Sequence, residues 1–162
     1  MNTEGSRDVA LEWMITGYGS ATLTWSVDGA AILIRTTYMG DGLRSILSAA
    51  NDLKLGSRAS LAYLLREPSG HLFLFAGART ADVYVQIAFF PYLDHSEERR
   101  WSGGELVWSG LVNVGSLLGA VRDMAESLLE RHGFDGYGRE WGMPFPLDEL
   151  TRLQGSEGGR CA

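Results

Sequence analysis

The stretch ASLAYLLREPSGHLFLFAGARTADVYVQIAFFP, residues 59–91, decides the fold. It holds runs rich in apolar, β-branched or aromatic residues at 59–66, 71–76 and 83–89, each bounded by turn formers. That pattern predicts the strands of an antiparallel meander. The first joint, Glu67-Pro68-Ser69-Gly70, carries its own mechanism, since Pro68 presets φ at the second position of a turn and Gly70 accepts whatever the fourth requires. In the third run Val83, Val85, Ile87 and Phe89 point one way and Tyr84, Gln86 and Ala88 the other, because successive strand residues alternate between faces. One face is therefore the more apolar and needs a cover.

On the N-terminal side the sharpest signal is Asp28-Gly29 between the runs 21–27 and 30–38. A two-residue Asp-Gly loop favours a type I′ turn and sets Val27 opposite Ala30. The same register places Trp25 opposite Ile32 and Leu23 opposite Ile34 on one face, with Thr22 meeting Arg35 and Thr24 meeting Leu33 on the other. Before it, Val9, Leu11, Trp13 and Ile15 alternate with more polar residues and predict a strand, a short helix capped by Asp8 being the alternative; Gly17 and Gly19 then turn the chain. After it, Asp41 is placed to cap a helix over 42–53, where Leu43, Ile46, Leu47, Ala50 and Leu53 recur at helical spacing ahead of Gly56.

On the C-terminal side, Phe90-Pro91-Tyr92-Leu93 ends the meander, and a charged loop leads to a strand over 105–112 with Leu106 and Trp108 on one face and Val107 on the other. Leu117, Leu118, Val121, Met124, Ala125, Leu128 and Leu129 form the longest stripe, predicting a helix over 115–131 that Gly133 terminates. Burying its large side chains is worth about 7–15 kcal/mol, enough to dock the helix on the sheet. Residues 134–153 add Tyr137, Trp141, Phe145 and Leu150, with Pro146 suited to the first turn of a short terminal helix.

The expectation is an α+β fold, an antiparallel meander sheet of about six or seven strands with two main helices packed on one face. A single domain over 9–153 lies between a disordered segment 1–8 and a flexible tail 154–162. Strands and helices do not alternate as a parallel doubly wound sheet requires.

At 162 residues the chain can bury roughly 70% of the surface its unfolded form exposes, so no staple is required. A net charge of −6, with 14 basic residues spread along the chain, speaks against a binder of phosphate backbones. The one cysteine, Cys161, excludes an internal disulfide and fits a reducing compartment. The polar residues 1–8 lack the character of a secretory signal, and no apolar run approaches the 18 or so residues of a membrane span. The expectation is a cytoplasmic protein that binds neither nucleic acid nor membrane.

Chemistry-bearing motifs are scarce. Gly17-Tyr18-Gly19 has no third glycine or following helix, no phosphate-cradling Gly-Lys-Ser/Thr occurs, and no Gly-x-Ser-x-Gly elbow is present. His71, His95 and His132 have no zinc-type spacing, and His132 fits a helix C-terminus. His95 alone has acidic company, in Asp94-His95-Ser96-Glu97-Glu98, where a solvated loop is the ordinary reading. A hidden pocket or metal site would be sought at Glu67, His71 and His95, but no cofactor, metal or catalytic residue is expected.

The aromatic residues say more. Five tryptophans and six tyrosines exceed what a core of this size uses, and Tyr84, Tyr92, Trp101, Tyr137 and Trp141 are not obviously aimed at the helices. Tyr, Trp and Arg dominate protein-contact hot spots, which makes Tyr92, Arg99, Arg100 and Trp101 the candidate partner-binding residues. Tyr137 and Trp141 are equally suited to clamp the C-terminal segment onto the sheet.

Asp41 with its helix, Glu67-Pro68-Ser69-Gly70 with 72–75, and the Tyr137, Trp141, Phe145-Pro146, Leu150 pattern together resemble a family of small bacterial α+β proteins. The resemblance spans residues 10–153 and departs from the family at His71 and Leu72. It implies no activity and no catalytic residue, and its layout is similar to that of immunity proteins, which neutralise partner toxins. The leading expectation is a non-catalytic protein-binding module, an immunity-type inhibitor whose acidic charge steers it to a basic partner, working as monomer or homodimer. The alternatives are a small-ligand-binding protein or enzyme with a pocket between sheet and helices, or a dimer formed through an exposed sheet edge.

Overall fold

In a computed structural model, which describes residues 7–79, 81–93 and 101–155, the Asp-Gly hairpin forms as its turn chemistry dictates. Asp28 (φ 51°) and Gly29 (φ 77°) both adopt the left-handed conformation of a type I′ turn. Val27 pairs with Ala30, Trp25 with Ile32 and Leu23 with Ile34. These strands, β2 (Ser20–Val27) and β3 (Ala30–Thr37), join β1 (Val9–Gly17) in an antiparallel sheet of order β1-β2-β3. Alternation buries Val9, Trp13, Leu23, Trp25, Val27 and Ile34 on its inner face.

The stretch 59–91 yields β4 (Ser60–Arg66), β5 (Ser69–Ala76) and β6 (Asp82–Phe90), to which β7 (Glu105–Asn113) is added on the far side of β6. The first turn lies one residue earlier than the sequence suggests. Arg66 pairs with Ser69, and a cis Glu67–Pro68 bond puts Pro68 in the third turn position, where a cis proline belongs. Between β6 and β7 the register slips: Ile87 faces Trp108 while Ala88 faces Leu106. The extra residue of this bulge sends Trp108 inward and Leu106 outward, so they lie on opposite faces and not on one.

The expected single sheet of six or seven strands is instead a three-stranded and a four-stranded sheet. Both inner faces are apolar, and they bury one another: Trp25 meets Phe73 at 5.9 Å and Trp108 at 5.3 Å, ring centre to ring centre. β3 and β4 meet without a ladder, the hydroxyls of Thr36 and Thr37 donating to the Leu65 carbonyl at 3.0 and 3.2 Å.

The helices also differ from the expected pair on one face. α1 (Gly42–Lys54) lies against β4, α2 (Val114–Trp141) against β1, and α3 (Leu147–Gln154) against both helices. Each of the first two follows a sheet edge. Ser45 Oγ accepts from the Tyr63 N–H of β4 (3.0 Å). On β1, Ser116 Oγ accepts from the Val9 N–H (2.9 Å) and Arg131 donates to the Trp13 carbonyl (3.0 Å).

Asp41 occupies the N-cap position of α1 but does not cap it. It has left-handed φ (45°), and its carboxylate accepts from Arg44 Nε at 3.2 Å. Gly133 (φ 67°, ψ 172°) breaks α2 as its position predicts, yet the chain resumes a helix and runs on to Trp141. That second piece has its own anchor, Trp141 and Tyr137 being buried against Trp13 and Phe145.

Candidate functional site

Strands β4 and β5 are apolar at consecutive positions, LAYLL and HLFLFA, and such strands need cover on both faces. The inner face has it, because Ala62, Leu64, Phe73, Val83, Val85 and Ile87 are buried in the core. The outer face does not. Register assembles it in rows across the sheet: Leu61, Leu74, Gln86, Ser109; then Tyr63, Leu72, Ala88, Leu106; and, at the other side, Ala76, Tyr84, Leu111. None of these side chains is charged. Leu61, Leu74, Tyr84, Leu106 and Leu111 each leave between 37% and 57% of their surface in water. A contiguous apolar patch of this kind is the usual mark of a contact surface.

One end of the face is closed by the aromatic residues singled out in the sequence. Trp101 stands edge-on to Phe90 (5.1 Å) and tilted against Tyr63 (6.3 Å). Gly70 lets Leu65 and Leu93 close over the sheet, since a Cβ there would lie 3.1 Å from a methyl of each. Leu93 is held by its N–H donating to the Pro68 carbonyl at 2.7 Å. Tyr92 beside it is 75% exposed. Arg99, Arg100 and His95 lie outside the described residues.

Glu67 is exposed in the β4–β5 turn, whereas His71 is half-buried in the sheet with its ring 4.9 Å from Phe89. Burial pushes the His71 imidazole down to about 4, so it is neutral near pH 7. Among the described residues no hydrogen bond or ion pair joins it to Glu67, and no group of three or more His, Cys, Asp or Glu side chains is placed to hold a metal.

A polar cluster lies elsewhere, where α1 meets α3. Arg44 bridges Asp41 (3.2 Å) and Glu149 (3.4 Å), and Asn51 donates to the Glu149 carbonyl (2.9 Å). The Tyr137 hydroxyl is buried nearby, and burial together with the Asp41 carboxylate pushes its ionisation above the ordinary phenol range. A hollow of about 270 Å³ opens beside this cluster, lined by Asp41, Arg44, Ser45, Ser48 and Tyr63. The Arg44 bridge engages Asp41 Oδ2 and Glu149 Oε1 and ties α3 to α1, while the buried Asp41 Oδ1 has no hydrogen-bond partner among the described residues.

Between the sheets and helices the interior is closed. Its void, lined by Leu23, Trp25, Ile46, Phe73, Phe75 and Val121 among others, measures about 10 Å³, room for no organic ligand. A cleft of about 950 Å³ lies outside the core, open to solvent where α1 ends and α2 begins, with Lys54, Arg58 and Arg79 on its walls. The Lys54 ammonium is engaged by the carbonyls of Arg152, Leu153 and Gly155, as befits a cation at a helix C-terminus.

Tyr84 and Trp101 were visible in the sequence as aromatic residues without an obvious place in the core; Leu61, Leu74, Leu106 and Leu111 were not. The signal that finds them is the unbroken apolar character of β4 and β5, together with the bulge that turns Leu106 outward. Among the described residues no helix is long and apolar enough to cross a membrane. No protein-family model, curated protein or solved structure matches the chain.

Proposed function

We propose that this chain is a non-catalytic protein-binding module acting through the outer face of the β4–β7 sheet. One observation carries the reading: a contiguous, largely apolar face, bordered by Trp101 and by Tyr84, left uncovered by the chain's own helices. An immunity-type inhibitor of a partner toxin is the form of module that the resemblance in layout favours. In that form the net charge of −6 steers a basic partner during approach.

The test is retention on the immobilised protein from a lysate of cells that also express an untagged copy. Material retained by the wild type and lost by both Leu74→Glu and Trp101→Ala supports a contact face. Equal retention by wild type and variants, or none by any of them, refutes it.

The alternative, a small-ligand-binding protein, draws on the cleft at the ends of α1 and α2, where Arg58 and Arg79 would favour an anion. Binding of inorganic phosphate that Arg58→Ala and Arg79→Ala abolish would move the function there.

A further inference from the structure

We infer that the occupant of the outer β4–β7 face is a second copy of the same chain, the two faces stacking about a two-fold axis near Leu74 and Gln86. The inference rests on the reading of that face as a contact surface and names what it contacts. The argument begins with what the face lacks. Its three central rows hold no charge, and the one acid that alternation places on this face, Asp82, stands at its end beside Asn113, so a partner chosen by the chain's acidity finds little there to pair with. The polar groups it does hold, the Gln86 amide and the Ser109 hydroxyl, are each donor and acceptor. Groups of that kind complement their own image, which an isologous interface requires.

Area agrees. The rows, two across four strands and one across three, cover about 360 Å² in plan. Side chains standing above that plane, with the Trp101 end included, bring the accessible surface to about 500 Å² per copy, so two copies withdraw about 1,000 Å², the lower bound for a specific interface. Two antiparallel sheets stack face to face at about 10 Å with strands within about 30° of one another, a geometry open to two copies of this face. The exposed carboxylates Glu130 and Asp135 belong to α2, which packs on β1 of the other sheet, so stacking leaves them in water.

The experiment is sedimentation of the full chain from about 1 to about 200 µM, at low and at high salt. The expected result is a concentration-dependent monomer–dimer equilibrium that salt strengthens, because apolar contact is retained while repulsion between two acidic copies is screened. Leu74→Glu should stay monomeric throughout. Should that variant fail to fold, Gln86→Arg and Gln86→Glu serve in its place: each alone weakens the dimer at least tenfold, and mixing them restores association. A wild-type monomer at every concentration, or dimers of undiminished strength in the folded variants, overturns the inference. A monomer that retains a different protein through Leu74 removes the second copy and leaves the contact face standing, whereas a monomer that retains nothing removes both.

Discussion

Replacing His71 with phenylalanine should strip a defined piece of acid sensitivity from this fold. Burial holds the His71 imidazole at about 4 in the folded chain, against about 6.5 when unfolded. Between those values the unfolded chain binds a proton that the folded chain does not, so stability rises with pH. The contribution is complete above about pH 6.5 and is lost as pH falls towards 4. Between about pH 7 and about pH 4.5 the two pKa values set a ceiling of about 2.5 kcal/mol. The ring keeps some contact with water, and screening reduces this to about 1–2 kcal/mol. Phenylalanine fits the aromatic contact with Phe89 and carries no proton. Urea unfolding of both proteins at the two pH values is the assay, and the variant should lose about 1–2 kcal/mol less than wild type on acidification. Acid losses that match within error would refute the burial argument, since carboxylates elsewhere would then account for the whole effect.

Other perturbations test the packing. At Gly42, in the first turn of α1, a Cβ would overlap the Leu64 δ-methyl; Gly42→Ala should therefore cost about 1–3 kcal/mol in urea unfolding despite alanine's better helix propensity. Trp25→Ala removes the ring that joins the two sheets and should cost about 3–5 kcal/mol, with loss of near-ultraviolet circular dichroism; a smaller change would mean that the sheets do not depend on this contact. Because Tyr137 ionises only above the ordinary phenol range, the alkaline ultraviolet titration of Tyr137→Phe should overlay that of wild type until the fold opens. A step missing from the variant at lower pH would place the hydroxyl in water.

Where local chemistry decides the outcome, the sequence was enough. Asp28-Gly29 admits few turns, and the register of Val27 with Ala30 follows down to the pairing of Leu23 with Ile34. Gly133 breaks α2 at the expected residue. What escaped depends on contacts distant along the chain. An apolar strand face is the same whether a helix or a second sheet covers it, so Trp25 could not announce that its partners are Phe73 and Trp108. The β7 bulge leaves no composition mark, and so Leu106 and Trp108, two apart, were placed together. Asp41 has the residue type of a cap, but its backbone is left-handed and its carboxylate is taken by Arg44, which also reaches Glu149. For the candidate site, Trp101 and Tyr84 were legible as surplus aromatic residues. The surface they border was not, because an uncovered face is defined by what fails to pack on it.

The way α1 and α2 run along β4 and β1 limits how another molecule can join this one. With the Tyr63 and Val9 amides and the Trp13 carbonyl already engaged by Ser45, Ser116 and Arg131, neither border is free to template a foreign strand, and runaway polymerisation is blocked at both. At those two borders recognition then falls to the relief of protruding side chains. That relief can be rewritten by point substitution at Leu61, Leu74 or Tyr84 without breaking a single main-chain bond, so specificity can drift while the scaffold stays fixed.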